Sequence, residues 1–271
     1  MSVSLHVIDE GAGPAVVLLH GFPDSSALWR HQIPVLVEAG YRVIAPDLRG
    51  FGASDKPAGV DAYRLDASVA DVLAILDQRG IERAGVVGHD WGAALGWALA
   101  GFVPDRVRSL VAVSVGHPAG YFTDTLRQRE MSWYMLFFLP PGVAEEALPR
   151  DDWTLLRTWL AGQGGDLDRY VADLSRPGAL TAALNWYRAN LTPESFGMAV
   201  PLPLPPVTCP VLGVSSDRDI ACGEAQMIAS RDHVTGPWRH HRITGAGHWI
   251  PLAAPDELGK LMIDHLRESL P

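Results

Sequence analysis

Lysine is nearly missing from this chain. Among 22 lysines and arginines in 271 residues, only Lys56 and Lys260 are lysine, which reads as coding bias and not as function. Positive charge is scarce too, and the formal net charge is −9. Phosphate binding needs a basic face, so a nucleic-acid partner is excluded. Cysteine is limited to Cys209 and Cys222, too few for a disulfide framework. Such cysteines fit ordinary thiols in a reducing compartment. No run of about 18 uncharged apolar residues occurs, so no membrane span is expected. The opening MSVSLHVIDEGAGP has no basic stretch leading into an apolar one, so no signal peptide is read. These absences describe a soluble, cytoplasmic protein. Its length suits one large domain, or a domain with a sizeable insertion.

Short β-branched runs are plentiful. AVVLLHG (15–21), RVIAPD (42–47), AGVVGHD (84–90), SLVAVSV (109–115) and PVLGVSS (210–216) are apolar without alternation. Such runs mark strands of a mostly parallel sheet covered on both faces. Helical patterns lie between them. The stretch 66–80 puts Val69, Val72, Leu73 and Leu76 on one stripe and ends at a glycine. The stretch 91–102 is a helix of small and apolar residues, and 256–270 is amphipathic. Alternation of strand and helix predicts an α/β architecture.

The rhythm breaks from His117 to Val200. Aromatic, helix-prone pieces replace strands at 131–139, 151–162, 167–175 and 179–190, and PLPLPP (201–206) follows as a stiff return linker. The expected organisation is a core of 1–116 and 201–271, with an inserted helical lid at 117–200.

The stretch VVGHDWGAALGW (86–97) places Asp90 between glycines where a strand turns into a helix. The pattern G-x-S-x-G names a strained elbow that lifts its central side chain above the sheet. Here an aspartate occupies the serine position. The start of the following helix favours an anion there. A carboxylate is already ionised at neutral pH and needs no activating base. It attacks best at an electrophilic sp³ carbon, forming an ester. An ordinary turn is the bland alternative, but the elbow follows a strong apolar run and precedes a small-residue helix.

An ester must then be hydrolysed, which requires a base. Among ten histidines, His248 stands in the glycine-rich GAGHW before the last helix. His240 and His241 lack that setting and match no recognisable metal spacing. A carboxylate would fix the histidine's tautomer and stabilise its charged form. Asp219 is taken as that acid. Asp217 is the alternative, since residues two apart in an extended segment point the same way while a loop separates them. The loop HGFPDSS (20–26) follows the first strong strand. The backbone N–H groups of Phe22 and Trp91 are expected to form an oxyanion hole.

Taken together, HGFPDSSALWR, VIAPDLRGFGASDKP, VGHDWGAALGW, SSDRDIA and GAGHW resemble the epoxide hydrolases of the α/β-hydrolase superfamily, over nearly the whole chain. Haloalkane and fluoroacetate dehalogenases share the core motifs and the aspartate. The resemblance implies two lid tyrosines that hold the epoxide oxygen, a proton donor being needed because a bare alkoxide leaves poorly. The stretch SWYMLFFLPPGVAEEAL (132–148) resembles the first tyrosine motif and points to Tyr134. ALNWYRAN (183–190) resembles the second and points to Tyr187. Phe22 stands where haloalkane dehalogenases commonly carry Asn, and Trp91 where fluoroacetate dehalogenases typically carry Arg. Both count against a halide.

The implied reaction is attack by Asp90 on an epoxide carbon, with Tyr134 and Tyr187 donating to the oxygen. Water activated by His248 and Asp219 then hydrolyses the ester to a vicinal diol. No metal or organic cofactor is implied. Substrate contacts are expected from His20, Phe22, Trp91, Phe137 and Trp186, with Trp133, Phe138, Trp153 and Trp159 as further candidate lining. A haloalkane or haloacid dehalogenase and a non-catalytic small-molecule receptor are the alternatives. An esterase is disfavoured, since an aspartate attacking an ester gives an anhydride. The partners expected are a small epoxide and water, with the chain a monomer or homodimer.

Overall fold

Residues 3–121, 126–197 and 204–269 are described in the computed structural model. Seven strands make one sheet: β1 (Val7–Glu10), β2 (Ala15–Leu19), β3 (Arg42–Pro46), β4 (Ala84–His89), β5 (Val107–Val113), β6 (Val211–Ser216) and β7 (Trp238–Ile243). Their order is β1-β3-β2-β4-β5-β6-β7. Every neighbouring pair is parallel except β1 with β3. The five runs of continuous apolar sequence are the five inner strands. β2, β4 and β6 are buried at every residue, as helices on both faces require.

The two edge strands escape the apolar pattern. β1 reads VIDE and β7 reads WRHHRI, and most of their residues are partly or fully exposed. An edge strand has one neighbour and faces water, so charged side chains serve it better than a buried run.

Around the sheet stand α1 (Gln32–Glu38), α2 (Leu65–Gln78) and α3 (Trp91–Phe102). In α3 every residue from Trp91 to Gly101 is buried, so small side chains are needed on all sides. In α2 the buried line is Ser68, Val72, Ile75 and Leu76, while Val69 and Leu73 sit partly buried beside it. The expected stripe is therefore rotated by one position. Gly80, at φ 64°, follows the end of that helix, as the left-handed conformation favours.

Between β5 and β6 the described residues contain no strand of the sheet. They form α4 (Leu126–Met131), α5 (Trp133–Phe138), α6 (Val143–Ala147), α7 (Arg150–Leu160), α8 (Leu167–Leu174), α9 (Ala179–Asn190) and α10 (Pro193–Gly197). The four helix-prone pieces read from sequence coincide with α5, α7, α8 and α9. The expected lid boundary at residue 200, and residues 201–203 of the linker, lie outside the described residues. The chain then completes the core with α11 (Glu224–Ala229), α12 (Ile250–Ala253) and α13 (Pro255–Ser269). Among the described residues, no helix is long and apolar enough to cross a membrane.

Among the contacts that hold the inserted helices, two sets bear on the tyrosines. The Trp186 indole N–H of α9 donates to the Arg49 carbonyl at 3.0 Å. Arg188 grips both oxygens of Glu145 at 2.6 and 2.8 Å and donates to the Phe138 carbonyl at 3.0 Å. Arg188 thereby ties α9 to the end of α5, so the helices carrying Tyr134 and Tyr187 are held in one geometry.

Candidate active site

Asp90 is the hinge residue between β4 and α3. Its backbone sits at φ 54°, ψ −122°, a strained conformation for a residue with a side chain. The flanking glycines permit the turn. A Cβ on Gly88 would overlap the Gly92 carbonyl, and one on Gly92 would overlap that of Leu19. Gly21 is needed for a different reason, because a Cβ there would strike the Asp90 carboxylate.

The Asp90 carboxylate has two differently placed oxygens. Oδ1 accepts the Phe22 N–H at 2.8 Å. Oδ2 lies 3.6 Å from His248 Nε2. Burial works against the charge on Asp90, yet His248 and the Trp91 amide outweigh it and hold the pKa below the usual carboxylate value. Asp90 is therefore an anion in the folded protein.

His248 Nδ1 lies 2.8 Å from Asp219 Oδ2. Asp219 Oδ1 accepts the amides of Ala221 and Cys222 at 2.7 and 2.8 Å, so the carboxylate cannot swing away. Asp217 points elsewhere and accepts the Gly245 amide at 2.7 Å. The loop after β6 thus separates the two aspartates and brings Asp219 to the histidine. Burial opposes a charged His248, but the Asp219 anion wins and raises its pKa well above the ordinary value.

Several supports of His248 carry no sequence signal. Its carbonyl accepts from His89 Nε2 at 2.9 Å and from Ser114 Oγ at 3.1 Å. Its amide donates to Gln163 Oε1 at 3.1 Å. A Cβ on Gly247 would overlap the Gln163 backbone, so two glycine-rich turns far apart in sequence pack together. Cys222 is a further surprise. With Asp219 and His248 it makes the one cluster of metal-ligating types among the described residues, their ligand atoms within 4.8 Å of one another. A hydrogen bond already joins the His248 and Asp219 atoms, and burial pushes the Cys222 thiol up to about 11, keeping it protonated.

Tyr134 from α5 and Tyr187 from α9 meet above Asp90, their rings 5.9 Å apart and nearly perpendicular. Both are buried, and burial raises both phenols well above their ordinary pKa. Each therefore keeps its proton at neutral pH. The Trp91 and Tyr187 rings meet edge to face, their centroids 5.2 Å apart.

Two cavities meet at this point. A large one of about 560 Å³ is lined by Asp90, Trp91, Tyr134 and Tyr187, with Val115 and Met135 among its apolar walls. A small one of about 20 Å³ lies between Asp90 and His248 and is walled by Phe22, Trp159 and Trp249. A chamber of that size holds one water molecule.

The structure brings Asp90, Asp219, His248, Tyr134, Tyr187, Phe22 and Trp91 together. It does not bring His20, Phe137 or Trp186 to either cavity. His20 is fully buried, with Nδ1 on the Gly21 carbonyl and Nε2 accepting the Leu48 amide, each at 2.9 Å. It braces the loop that carries Phe22. Trp186 packs on Trp91 and Phe51 and spends its N–H on Arg49. Phe137 stacks on Trp133, outside the cavities. Of the remaining aromatic candidates, Trp159 lines the small cavity, Phe138 and Trp153 are lid core, and Trp133 is exposed. Tyr121, which lines the large cavity, was not anticipated.

The buried histidines predict an acid limit to stability. Burial lowers His89 and His265 to about 4 and His117 to about 3. All three are neutral in both states well above pH 6.5. Below it the unfolded chain takes up protons that the folded chain refuses, so stability falls as pH drops from about 6.5 to about 4. His248, whose pKa is raised, works the other way: its contribution is full below pH 6.5 and is lost as pH rises through its folded value. Burial lowers His20 and His240 as well, so five histidines against one leave a net loss on acidification. Urea midpoints at pH 7, 6 and 5 are expected to decrease at each step. A flat profile contradicts the assignment.

A strained carboxylate elbow, a histidine–aspartate pair and a walled cavity above a parallel sheet define a hydrolase site on an α/β scaffold. The comparisons with known proteins agree. Residues 14–255 match the alpha/beta hydrolase fold family. Epoxide hydrolase A of Mycobacterium tuberculosis is 32% identical over 306 residues, covering 97% of this chain and 94% of that one. The AB hydrolase superfamily protein YfhM of Bacillus subtilis is 42% identical over 199 residues, covering 69% and 70%. The crystal structure of a Bacillus megaterium epoxide hydrolase with an inhibitor superposes with a TM-score of 0.87 at 28% identity, covering 98% of this chain and 97% of that one. The chain belongs to the α/β-hydrolase family, in the branch that contains these epoxide hydrolases.

Proposed function

We propose that this chain converts epoxides to vicinal diols through a covalent ester on Asp90, with the helices of 117–200 acting as a cap. The observation that carries the reading is the pair of protonated phenols, Tyr134 and Tyr187, facing one cavity with the Asp90 anion. A nucleophile and two acids opposite one another fit an ether that must be attacked at carbon and protonated at oxygen.

Asp90 Oδ2 is the attacking atom, because Oδ1 is held by Phe22. The C–O bond of the ring breaks as the Oδ2–C bond forms, and a tyrosine proton passes to the departing oxygen. Oδ1 becomes the ester carbonyl, already on the Phe22 N–H. A water in the small cavity gives a proton to His248 Nε2 and adds to that carbonyl. Phe22 and Trp91 amides hold the oxyanion. Collapse releases the diol, whose oxygen takes the imidazolium proton; Asp90 is left as the carboxylic acid, and its proton returns through water to the tyrosinate, restoring both groups.

The test is a single turnover with enzyme in excess over styrene oxide in ¹⁸O-water. The expected diol carries no ¹⁸O, and the label appears in the peptide containing Asp90. Label in the first-turnover diol means that water attacks the epoxide directly, and the covalent reading is abandoned.

A further inference from the structure

We propose that this site takes terminal epoxides and refuses trans-1,2-disubstituted ones. The inference rests on the epoxide hydrolase reading and extends it to a substrate class. Asp90, Tyr134 and Tyr187 line both cavities, so a ring held between them stands at the partition. The two sides differ greatly in size. One offers about 560 Å³ with apolar walls such as Ala94, Val115, Met135 and Leu204. The other offers about 20 Å³, closed by Trp159, Leu160, Ile220 and Trp249.

A terminal epoxide carries its bulk on one carbon. Its substituent enters the large cavity, and the small chamber keeps its water beside His248. A trans-disubstituted epoxide carries bulk on both carbons, and the groups project to opposite ends and opposite faces of the ring. One of them must enter the small chamber. A space sized for one water has no room for an alkyl chain. Close-packed walls do not yield cheaply either. Leu160 is 3% exposed, and Trp159 lies against Tyr134 with ring centroids 4.7 Å apart. An intruding chain would also displace the water that the second step needs, so both half-reactions suffer.

The experiment compares two isomers of equal size, 1,2-epoxyoctane and trans-4,5-epoxyoctane, on the full chain. The expected kcat/KM ratio is at least ~100 in favour of the terminal isomer. Leu160→Ala and Ile220→Ala, each of which enlarges the small chamber, are expected to shrink that ratio by roughly tenfold or more. The ratio is read within each variant, so a general loss of activity cancels. Comparable rates for the two isomers in the wild-type protein overturn the inference and leave the hydrolase reading standing. An unchanged ratio in both folded variants overturns it as well. If neither isomer nor styrene oxide is turned over, the hydrolase reading falls and takes this one with it.

Discussion

His248→Gln, mixed with styrene oxide, is expected to gain the whole mass of the epoxide on Asp90 and to keep it. The variant retains Asp90, both tyrosines and the Phe22 amide, so ring opening proceeds. Glutamine takes no proton from water at neutral pH, so the ester persists. Turnover is expected to fall roughly 10³- to 10⁴-fold while the burst of alkylation survives. Intact-mass measurement and peptide mapping check this. An adduct on another residue, or none with any of several epoxides, rejects Asp90 as nucleophile. If a haloalkane instead leaves its alkyl group on Asp90, the protein is a dehalogenase. On the proposed mechanism, the surroundings of His248 favour rapid loss of the ester in the wild-type protein. In the free enzyme the Asp90 carboxylate, 3.6 Å away, helps hold a proton on the imidazole. Alkylation removes that negative charge. The histidine then releases its proton more readily, so the base becomes available once the nucleophile has reacted.

The double replacement Tyr134→Phe with Tyr187→Phe is expected to lower kcat/KM for epoxides about 10⁴-fold, and each single replacement by about 10- to 100-fold. The singles are milder because the remaining phenol still donates. The double leaves the departing oxygen with no acid on that face. Tyrosine to phenylalanine removes one atom and keeps the ring, so the aromatic contacts with Phe138 and Trp91 persist. Unchanged urea midpoints beside the lost rate would separate chemistry from folding. A double variant within tenfold of wild type would show that the tyrosines merely pack.

The sequence made the inner sheet legible because burial on both faces forces uninterrupted apolar runs. It made the elbow legible because only glycine fits at positions 88 and 92. It did not reveal β1 or β7, whose edge positions free them from that pattern. Nor could it distinguish aromatics by depth. Trp159 lines a cavity while Trp186, with a similar local pattern, is spent on packing. Burial alone raises no flag, since most of the described aromatics between β5 and β6 are buried. Asp219 and Asp217 differ only in where the loop after β6 carries them. The grip of Gln163, His89 and Ser114 on the His248 backbone is long-range, and no local motif encodes it.

One corner of the molecule fastens the inserted helices to the core through a buried charge. Asp24, almost wholly buried and just beyond Phe22, pairs with Arg169 and accepts the Tyr170 hydroxyl at 2.7 Å. Arg169 also donates to Ser25 Oγ at 2.9 Å. These contacts bolt α8 to the loop whose Phe22 amide donates to Asp90. Separating them would strand a buried carboxylate, at a cost of about 3–5 kcal/mol. The edge where Arg64, Thr192 and Ser195 border the large cavity is held by Asn190, whose Oδ1 accepts the Leu65 amide at 2.8 Å and whose Nδ2 donates to the Tyr63 carbonyl at 2.9 Å. Neutral hydrogen bonds cost less to break than a buried ion pair, so the two attachments of these helices differ in strength.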